Sequence, residues 1–326
     1  MSDRSTPVLE VRDARCAIPT SRGDVIALGG VDLSLARGEV LGLVGESGSG
    51  KSTLAKFVIG ATPASARTSG EVLLNGTELT ALPPERARKL RGRYIGTVFQ
   101  DPMMALNPVV PIGRQISEAP RFVLGLSARE RRDLAVELLE QVGIPEPASR
   151  LKHYPHQFSG GMRQRITIAM ALACSPDVLI ADEATTALDV TVQRQILDLL
   201  DKLVEERSLA TILVSHDLAV IAGRTHTTAV MYAGRIVEYG PTAEVFESPR
   251  HPYTRSLLAA VPRTDAPPHT RLRTIPGAAA DLTALGAGCS FAPRCELATP
   301  VCRQDFPQPR GDAHWARCIH SGERAA

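Results

Sequence analysis

Short aliphatic runs alternate with helical stretches from residue 8 to about residue 240, the pattern of a chain that interleaves buried strands with helices. Val40-Leu41-Gly42-Leu43-Val44 predicts a buried strand, as do Val178-Leu179-Ile180-Ala181 and Thr211-Ile212-Leu213-Val214. Val72-Leu73-Leu74 ahead of Asn75-Gly76 predicts a strand entering a tight turn. The stretch Met231-Tyr232-Ala233-Gly234-Arg235-Ile236-Val237 predicts a hairpin. Ser127, with Glu130 three residues on, predicts a capping box at the start of a helix over 128–142. Leu134, Leu138, Leu139 and Val142 give that helix its apolar stripe. From Ser248 the texture changes: prolines recur at 249, 252, 262, 267, 268, 276, 293, 300, 307 and 309, so long regular elements are not expected there. The chain therefore divides near residue 245, into an α/β domain over 1–245 and an irregular domain over 246–326.

Composition narrows this picture. A length of 326 residues suits one or two domains. Hydrophobic residues make up 44% but aromatics only 4%, so the core is expected to be aliphatic. Lys and Arg (37) nearly balance Asp and Glu (35), which argues against a nucleic-acid binder with a strong basic field. No apolar run approaches the ~18 residues of a membrane-spanning helix. The polar residues 1–7 lack the apolar stretch of a signal peptide. The expectation is a soluble cytoplasmic chain. Cys16 and Cys174 stand alone and read as small core residues. Cys289, Cys295, Cys302 and Cys318 crowd into the tail, where an intracellular cluster reads as metal or cluster ligation more readily than as disulfides.

Gly45-Glu46-Ser47-Gly48-Ser49-Gly50-Lys51-Ser52 fits the phosphate-loop pattern, with a strand before it and an apolar helix running on from Thr53. Glycines let backbone N–H groups turn toward phosphates without Cβ clashes, and the helix N-terminus adds positive potential. Lys51 is expected to reach the β- and γ-phosphates and Ser52 to ligate Mg²⁺. The aliphatic strand 178–181 ends in Asp182 and Glu183. Its carboxyl end is where an open α/β sheet holds its ligand. Asp182 suits Mg²⁺, directly or through water, and Glu183 suits a general base that polarises water.

At this point the sequence resembles the ATP-binding subunits of ABC transporters. Ser159-Gly160-Gly161-Met162-Arg163-Gln164-Arg165 is similar to the family's signature, with Phe158 where leucine is commoner. Two glycines and the Ser159 hydroxyl open a helix expected from about residue 162 to 173, an end suited to a γ-phosphate. The resemblance implies that this end binds nucleotide held on another subunit's phosphate loop. Gln100 in Val98-Phe99-Gln100-Asp101 resembles the Q-loop glutamine, which contacts Mg²⁺ and the water. Ala187-Leu188-Asp189 resembles the D-loop, and His216 in Ser215-His216-Asp217 resembles the switch histidine at the γ-phosphate. The implied ATP site comprises Gly45, Ser47, Gly48, Ser49, Gly50, Lys51, Ser52, Thr53, Gln100, Asp182 and His216. Ser52, Gln100 and Asp182 serve Mg²⁺ in that reading, with Glu183, His216 and Gln100 in catalysis. The implied fold is the P-loop NTPase fold of ABC ATPases: a RecA-like core, an antiparallel β subdomain, a helical subdomain over about 101–165, and a small Cys-containing C-terminal domain. Residues 94–120 would hold the surface that receives a coupling helix. One departure stands out. The family stacks adenine on an aromatic residue ahead of the phosphate loop, and this chain has none before Phe57, leaving an aliphatic residue such as Ile18 or Val25 for that place.

The tail is most similar to peptide-importer ATPases of the oligopeptide and dipeptide type. Its marks are His251-Pro252-Tyr253-Thr254-Arg255-Ser256-Leu257-Leu258, Ile275-Pro276-Gly277 and Cys289-Ser290-Phe291-Ala292-Pro293-Arg294-Cys295. Nickel and glutathione importers share much of this tail, so it leaves the solute open. Five, six and then fifteen residues separate successive tail cysteines. Four thiolates suit a [4Fe–4S] cluster or Zn²⁺, with no metal as the third alternative, and the spacing lacks tight Cys-x-x-Cys knuckles. The resemblance favours the cluster, as a staple for a proline-rich tail, with His314 and His320 as substitute ligands and Trp315 packing nearby.

The resemblance implies an ATPase that drives a membrane importer from the cytoplasmic face of the inner membrane. Only one motif set occurs, so a second ABC ATPase subunit is needed, a paralogue in a heterodimer being favoured. Two permease subunits and, indirectly, an extracytoplasmic solute-binding protein complete the assembly. Two competing classes fit less well. A soluble ABC ATPase of DNA repair or translation would carry long insertions or two ATPase halves. A nonhydrolytic regulatory module would lack Glu183.

Overall fold

The computed structural model describes residues 7–185, 188–261 and 274–321. Its strands are β1 (Leu9–Thr20), β2 (Gly23–Leu35), β3 (Val40–Val44), β4 (Arg67–Leu74), β5 (Thr77–Glu78), β6 (Ile95–Val98), β7 (Val178–Asp182), β8 (Ala210–Val214), β9 (Thr227–Tyr232), β10 (Arg235–Pro241) and β11 (Trp315–Ala316). The α-helices are α1 (Lys51–Ile59), α2 (Pro84–Tyr94), α3 (Pro102–Ala105), α4 (Ile112–Ile116), α5 (Ala128–Gln141), α6 (Pro147–Arg150), α7 (Gly160–Leu172), α8 (Val190–Arg207), α9 (Leu218–Ala222), α10 (Thr242–Glu247) and α11 (Pro252–Ala259). Two compact units result. The first comprises Met1–Glu10, Ser34–Glu39 and Val72–Leu213; the second comprises Val11–Leu33, Val40–Glu71 and Val214–Ala326.

In the first unit, β6 and β7 run parallel, with Ile95 opposite Val178 and Val98 opposite Ala181, and β8 lies on the other side of β7. Every residue of β7 and β8 is buried, as continuous aliphatic runs demand of central strands. Helix α7 lies close over β6: a Cβ on Gly96 would come within 2.4 Å of the Ala171 carbonyl. Helix α5 begins with the predicted capping box. Glu130 N–H donates to Ser127 Oγ, and Ser127 N–H donates to the Glu130 carboxylate at 2.8 Å. Leu138 and Leu139 bury its stripe. The buried Gln115 side chain ties the loop after α3. It accepts from Asn107 N–H at 2.9 Å and donates to the Asn107 and Val110 carbonyls.

In the second unit, β3 pairs parallel with β9, which pairs antiparallel with β10, and the short β11 closes that edge. The predicted hairpin at 231–237 is β9–β10, turning through Ala233 and Gly234 at φ 46° and 76°. Both central residues lie in the left-handed region, as a tight hairpin turn requires. The predicted boundary near 245 falls inside this unit. The tail over 274–321 has short 3₁₀ turns at Ala292–Arg294 and Pro300–Arg303 and the two-residue β11, in keeping with its prolines. It returns to β2, where Ile26 N–H donates to the Leu282 carbonyl at 3.0 Å. A buried carboxylate organises its other end. Glu238 accepts from the Arg250 and His251 N–H groups, and His314 Nε2 lies 2.8 Å from it.

Candidate functional site

The phosphate loop leaves β3 at Val44 and enters α1 at Lys51, as the sequence predicts. Its backbone needs glycine at two points. Gly45 has φ 154°, and a Cβ there would lie 2.2 Å from the Met231 carbonyl of β9. Gly50 has φ 106°, and its Cβ would lie 2.5 Å from the Ala27 carbonyl of β2. At these two points the loop is seated against β2 and β9 with no room for a side chain. The hairpin turn adds a backbone bond, Gly234 N–H to the Ser49 carbonyl at 2.8 Å.

Helix α1 starts without a side-chain cap and without an acidic residue in its first turn. The unsatisfied N–H groups of a helix start and their positive potential are therefore left for a ligand. Lys51 is buried and donates to the Gly45 carbonyl at 2.8 Å and the Glu46 carbonyl at 3.0 Å. Its ammonium thus lies inside the loop. Ser49 Oγ is buried without a hydrogen-bond partner. A buried hydroxyl costs about 1–3 kcal/mol when left unpaired. A lone hydroxyl inside a cationic, amide-lined loop fits a polyphosphate.

The same loop has two contacts that sequence reasoning did not assign. Tyr253 of α11 accepts from the Glu46 N–H at 2.8 Å. Arg294 of the tail makes a two-pronged ion pair with Glu46, Nη1 to Oε2 at 2.7 Å and Nη2 to Oε1 at 3.1 Å. Both residues carry signals only as members of tail motifs, and 248 positions separate Arg294 from Glu46.

His216 is exposed between β8 and α9. Ser215 N–H donates to the Leu43 carbonyl of β3 at 3.2 Å, which anchors this turn to the strand that feeds the phosphate loop. Asp217 caps α9 through Ala219 N–H at 2.9 Å.

In the first unit β7 delivers Asp182 buried and Glu183 just beyond its end. Glu183 has φ 47°, a left-handed conformation that costs a non-glycine residue roughly 1–2 kcal/mol. Gln100, just past the end of β6, donates from Nε2 to the Glu183 carboxylate at 3.0 Å. The parallel register of β6 and β7 explains the meeting, because Val98 lies opposite Ala181. Two sequence-predicted residues therefore converge.

The signature helix α7 starts at Gly160, two residues before the expected start, with Ser159 as N-cap accepting from Met162 N–H at 3.3 Å. Ser159 and Gly160 are exposed, while Phe158 is buried beneath them. Asp189 caps α8 through Val192 N–H at 3.0 Å. Ala187 lies outside the described residues.

The four tail cysteines converge without forming a finished metal site. Burial raises the thiols of Cys289, Cys295 and Cys318, the last to about 11. Neighbouring thiols add to each rise. Cys289 N–H donates to the Cys302 carbonyl at 2.8 Å. Cys302 Sγ, however, is engaged by the Thr299 N–H and hydroxyl, each at 3.5 Å. Among the described residues, no group of three or more His, Cys, Asp or Glu side chains is set to hold a metal ion. The expectation of His314 as a substitute ligand is corrected. Its Nε2 is 2.8 Å from the buried Glu238 and its Nδ1 3.4 Å from the exposed Glu244. Trp315 stacks on Tyr239 with ring centroids 5.8 Å apart. Cys16 and Cys174 are buried, as expected of small core residues.

Known proteins sharpen these observations. Residues 28–186 match the family described as ABC transporter, and residues 237–302 match the oligopeptide/dipeptide transporter C-terminal region. A peptide import ATP-binding protein of Brucella melitensis is 47% identical over 335 residues, covering 98% of this chain and 99% of its own. The oligopeptide transport ATP-binding protein OppD of Escherichia coli is 48% identical over 92% of this chain and 89% of its own. The dipeptide transport ATP-binding protein DppD of Bacillus subtilis is 44% identical over 98% and 96%. Among solved structures, a dimeric ATP-binding cassette in a post-hydrolysis state with ADP and Pi aligns at TM-score 0.64 and 30% identity, over 72% of this chain and 98% of that one.

Proposed function

The chain belongs to the ATP-binding family of ABC transporters, and from that premise we propose that it hydrolyses ATP to energise an importer of di- and oligopeptides. The observation that carries the nucleotide half of this reading is the seated phosphate loop, with Lys51 folded inside it and an uncapped helix start behind it. The peptide half rests on the relatives' names and on the tail match over 237–302. That match also supports a division of the chain near residue 245 into motor and tail.

The residue roles follow from chemistry. The amides of Ser47, Gly48, Ser49, Gly50, Lys51, Ser52 and Thr53 serve the phosphates, and the Lys51 ammonium neutralises their charge. Ser52 and Asp182 offer oxygen ligands of the kind Mg²⁺ takes, and the Gln100 amide carbonyl offers a third. Mg²⁺ would draw charge from the phosphoryl oxygens. Glu183 takes a proton from the attacking water, with Gln100 Nε2 holding the carboxylate at 3.0 Å in one orientation. His216 donates to the γ-phosphate. The cap at Ser159, Gly160, Gly161 and Met162, exposed at its first two residues, suits the nucleotide of a second ATPase subunit, a paralogue, with Asp189 at the seam.

No helix among the described residues is long and apolar enough to cross a membrane, so the span comes from permease partners. Met103, Met104, Val109 and Phe122 expose apolar side chains in the first unit. A cavity of about 900 Å³ lies beside them, lined by Ala105, Val110, Arg121 and Phe122 among others. Such a patch suits an inserted coupling helix on the cytoplasmic side. The convergence of Cys289, Cys295, Cys302 and Cys318 supports a [4Fe–4S] cluster on those thiolates, with Zn²⁺ as the alternative occupant.

The test is reconstitution of the full complex in vesicles. Peptide-stimulated ATPase and peptide uptake are expected, and Ni²⁺ or glutathione should stimulate neither. Stimulation by Ni²⁺ or glutathione instead of peptide overturns the solute. Absence of ATPase in the assembled complex overturns the motor.

A further inference from the structure

The Glu46 side of the phosphate loop carries a formal negative charge beside a site that must hold a polyanion. Nothing in the requirements of a phosphate loop asks for an acid there. Its neutraliser comes from far along the chain. Arg294 meets both oxygens of Glu46, at 2.7 and 3.1 Å, in the fork geometry that only arginine supplies. The Arg294 side chain is 6% exposed and that of Glu46 29%.

Arg294 is itself held rigidly. Its Nε donates to the Pro276 carbonyl at 2.8 Å, and Nη1 reaches the Tyr232 hydroxyl at 3.3 Å. Its guanidinium lies 5.9 Å from the centroids of the Tyr232 and Phe291 rings. Those rings pack with Tyr253 in one cluster, with centroids 4.6 to 5.4 Å apart. Tyr253 then takes the Glu46 N–H at 2.8 Å. One residue of the loop is thus gripped at its backbone by α11 and at its side chain by the tail. The 3₁₀ turn Ala292–Arg294, flanked by Cys289 and Cys295, sets the position of the guanidinium.

We propose that Arg294 and Tyr253 are positioning residues of the ATP site, through which the C-terminal tail fixes the shape and charge of the phosphate loop at Glu46. The tail is then a working part of nucleotide binding. With the grip lost, Glu46 is an unpaired carboxylate beside the phosphates, and the loop amides lose a fixed backbone anchor. Both effects weaken ground-state and transition-state contacts to phosphate alike, so they fall on KM and leave kcat.

This rests on the ATPase reading, and wild-type controls separate the two. MgATP binding to the full chain is measured by calorimetry, and ATPase on the assembled complex. Arg294→Ala is expected to raise Kd and KM by about tenfold while kcat changes less than about twofold. Arg294→Lys should recover part of the loss, since it restores charge without the fork. Tyr253→Phe should cost about threefold. In a Glu46→Ala background, Arg294→Ala should add less than about twofold, because its partner is already gone. Full additivity of the two substitutions overturns the proposal. So does a lowered melting temperature with wild-type Kd, which would mark Arg294 as a staple alone. A wild-type complex without ATPase sinks the motor reading instead.

Discussion

Gln100 Nε2 donates to the Glu183 carboxylate at 3.0 Å, and this bond joins the ends of two adjacent parallel strands. A carboxylate so held presents its remaining lone pairs in a fixed direction, as a general base needs. Glu183→Gln keeps the size and the bond while removing basicity. Turnover should fall at least about a hundredfold, with MgATP binding to the full chain within about threefold of wild type. Retained ATPase in the assembled complex would remove Glu183 from the catalytic role. Gln100→Ala should lower turnover less, roughly tenfold, since it loosens the base without deleting it.

The loop glycines make unequal predictions. Gly45→Ala would push a Cβ to 2.2 Å from the Met231 carbonyl and 2.8 Å from Ser49 Oγ. Neither the strand nor the loop has slack, so about 3 kcal/mol of stability or an equivalent loss of MgATP affinity is expected. At Gly48, φ is 79° and a Cβ would meet no neighbour within 4 Å. Gly48→Ala should therefore cost only about 1 kcal/mol of stability, the conformational penalty alone. Urea titration of the two variants decides: equal losses would mean that crowding by Met231 does not govern the loop.

These contrasts show what the chain discloses in advance. The phosphate loop, β3, β7, β8, the β9–β10 turn and the α5 capping box all follow from local patterns. The long β1 did not declare itself. Its alternation breaks at Arg12 and Asp13, consecutive exposed residues with Asp13 at φ 44°, where the strand turns its faces over. The start of α7 at Gly160 was hidden because glycine is a poor helix former, and only the Ser159 cap fixes it. Glu46 paired with Arg294 had no local signal at all, since the partners meet only after the tail folds back. The four cysteines were legible as a group. The engagement of Cys302 with Thr299, and of the neighbouring His314 with Glu238, was not.

The thiol group makes its own prediction. Anaerobically purified protein should carry iron and sulfide and absorb broadly near about 400 nm, as iron–sulfur charge transfer does. Cys302→Ser should bleach that band, whereas Cys16→Ser, far from the group in sequence and in β1, should leave it. Zinc without iron on metal analysis would replace the cluster with a structural Zn²⁺ site, and no metal would leave four free thiols, two of them buried.

His251 gives a pH dependence with a defined sign. Its ring is 1% exposed and caps α11 by accepting from Tyr253 N–H at 3.1 Å through Nδ1. Burial first, and then the Arg255 cation, push it down to about 3. The surroundings do not rescue the charged form: the Glu238 carboxylate takes the His251 backbone N–H, together with the Arg250 N–H and His314. Between about pH 6.5 and 3 the unfolded chain therefore binds a proton at His251 that the folded chain does not, and stability falls as pH falls through that window. From pH 6.5 to pH 5 the loss from this group is about 2 kcal/mol, at ~1.4 kcal/mol per pH unit. His251→Asn keeps an N-cap acceptor and removes the titration. Chemical denaturation at the two pH values should show the variant losing about 2 kcal/mol less than wild type. Identical losses would mean that His251 takes its proton in the folded state, against its burial beside Arg255.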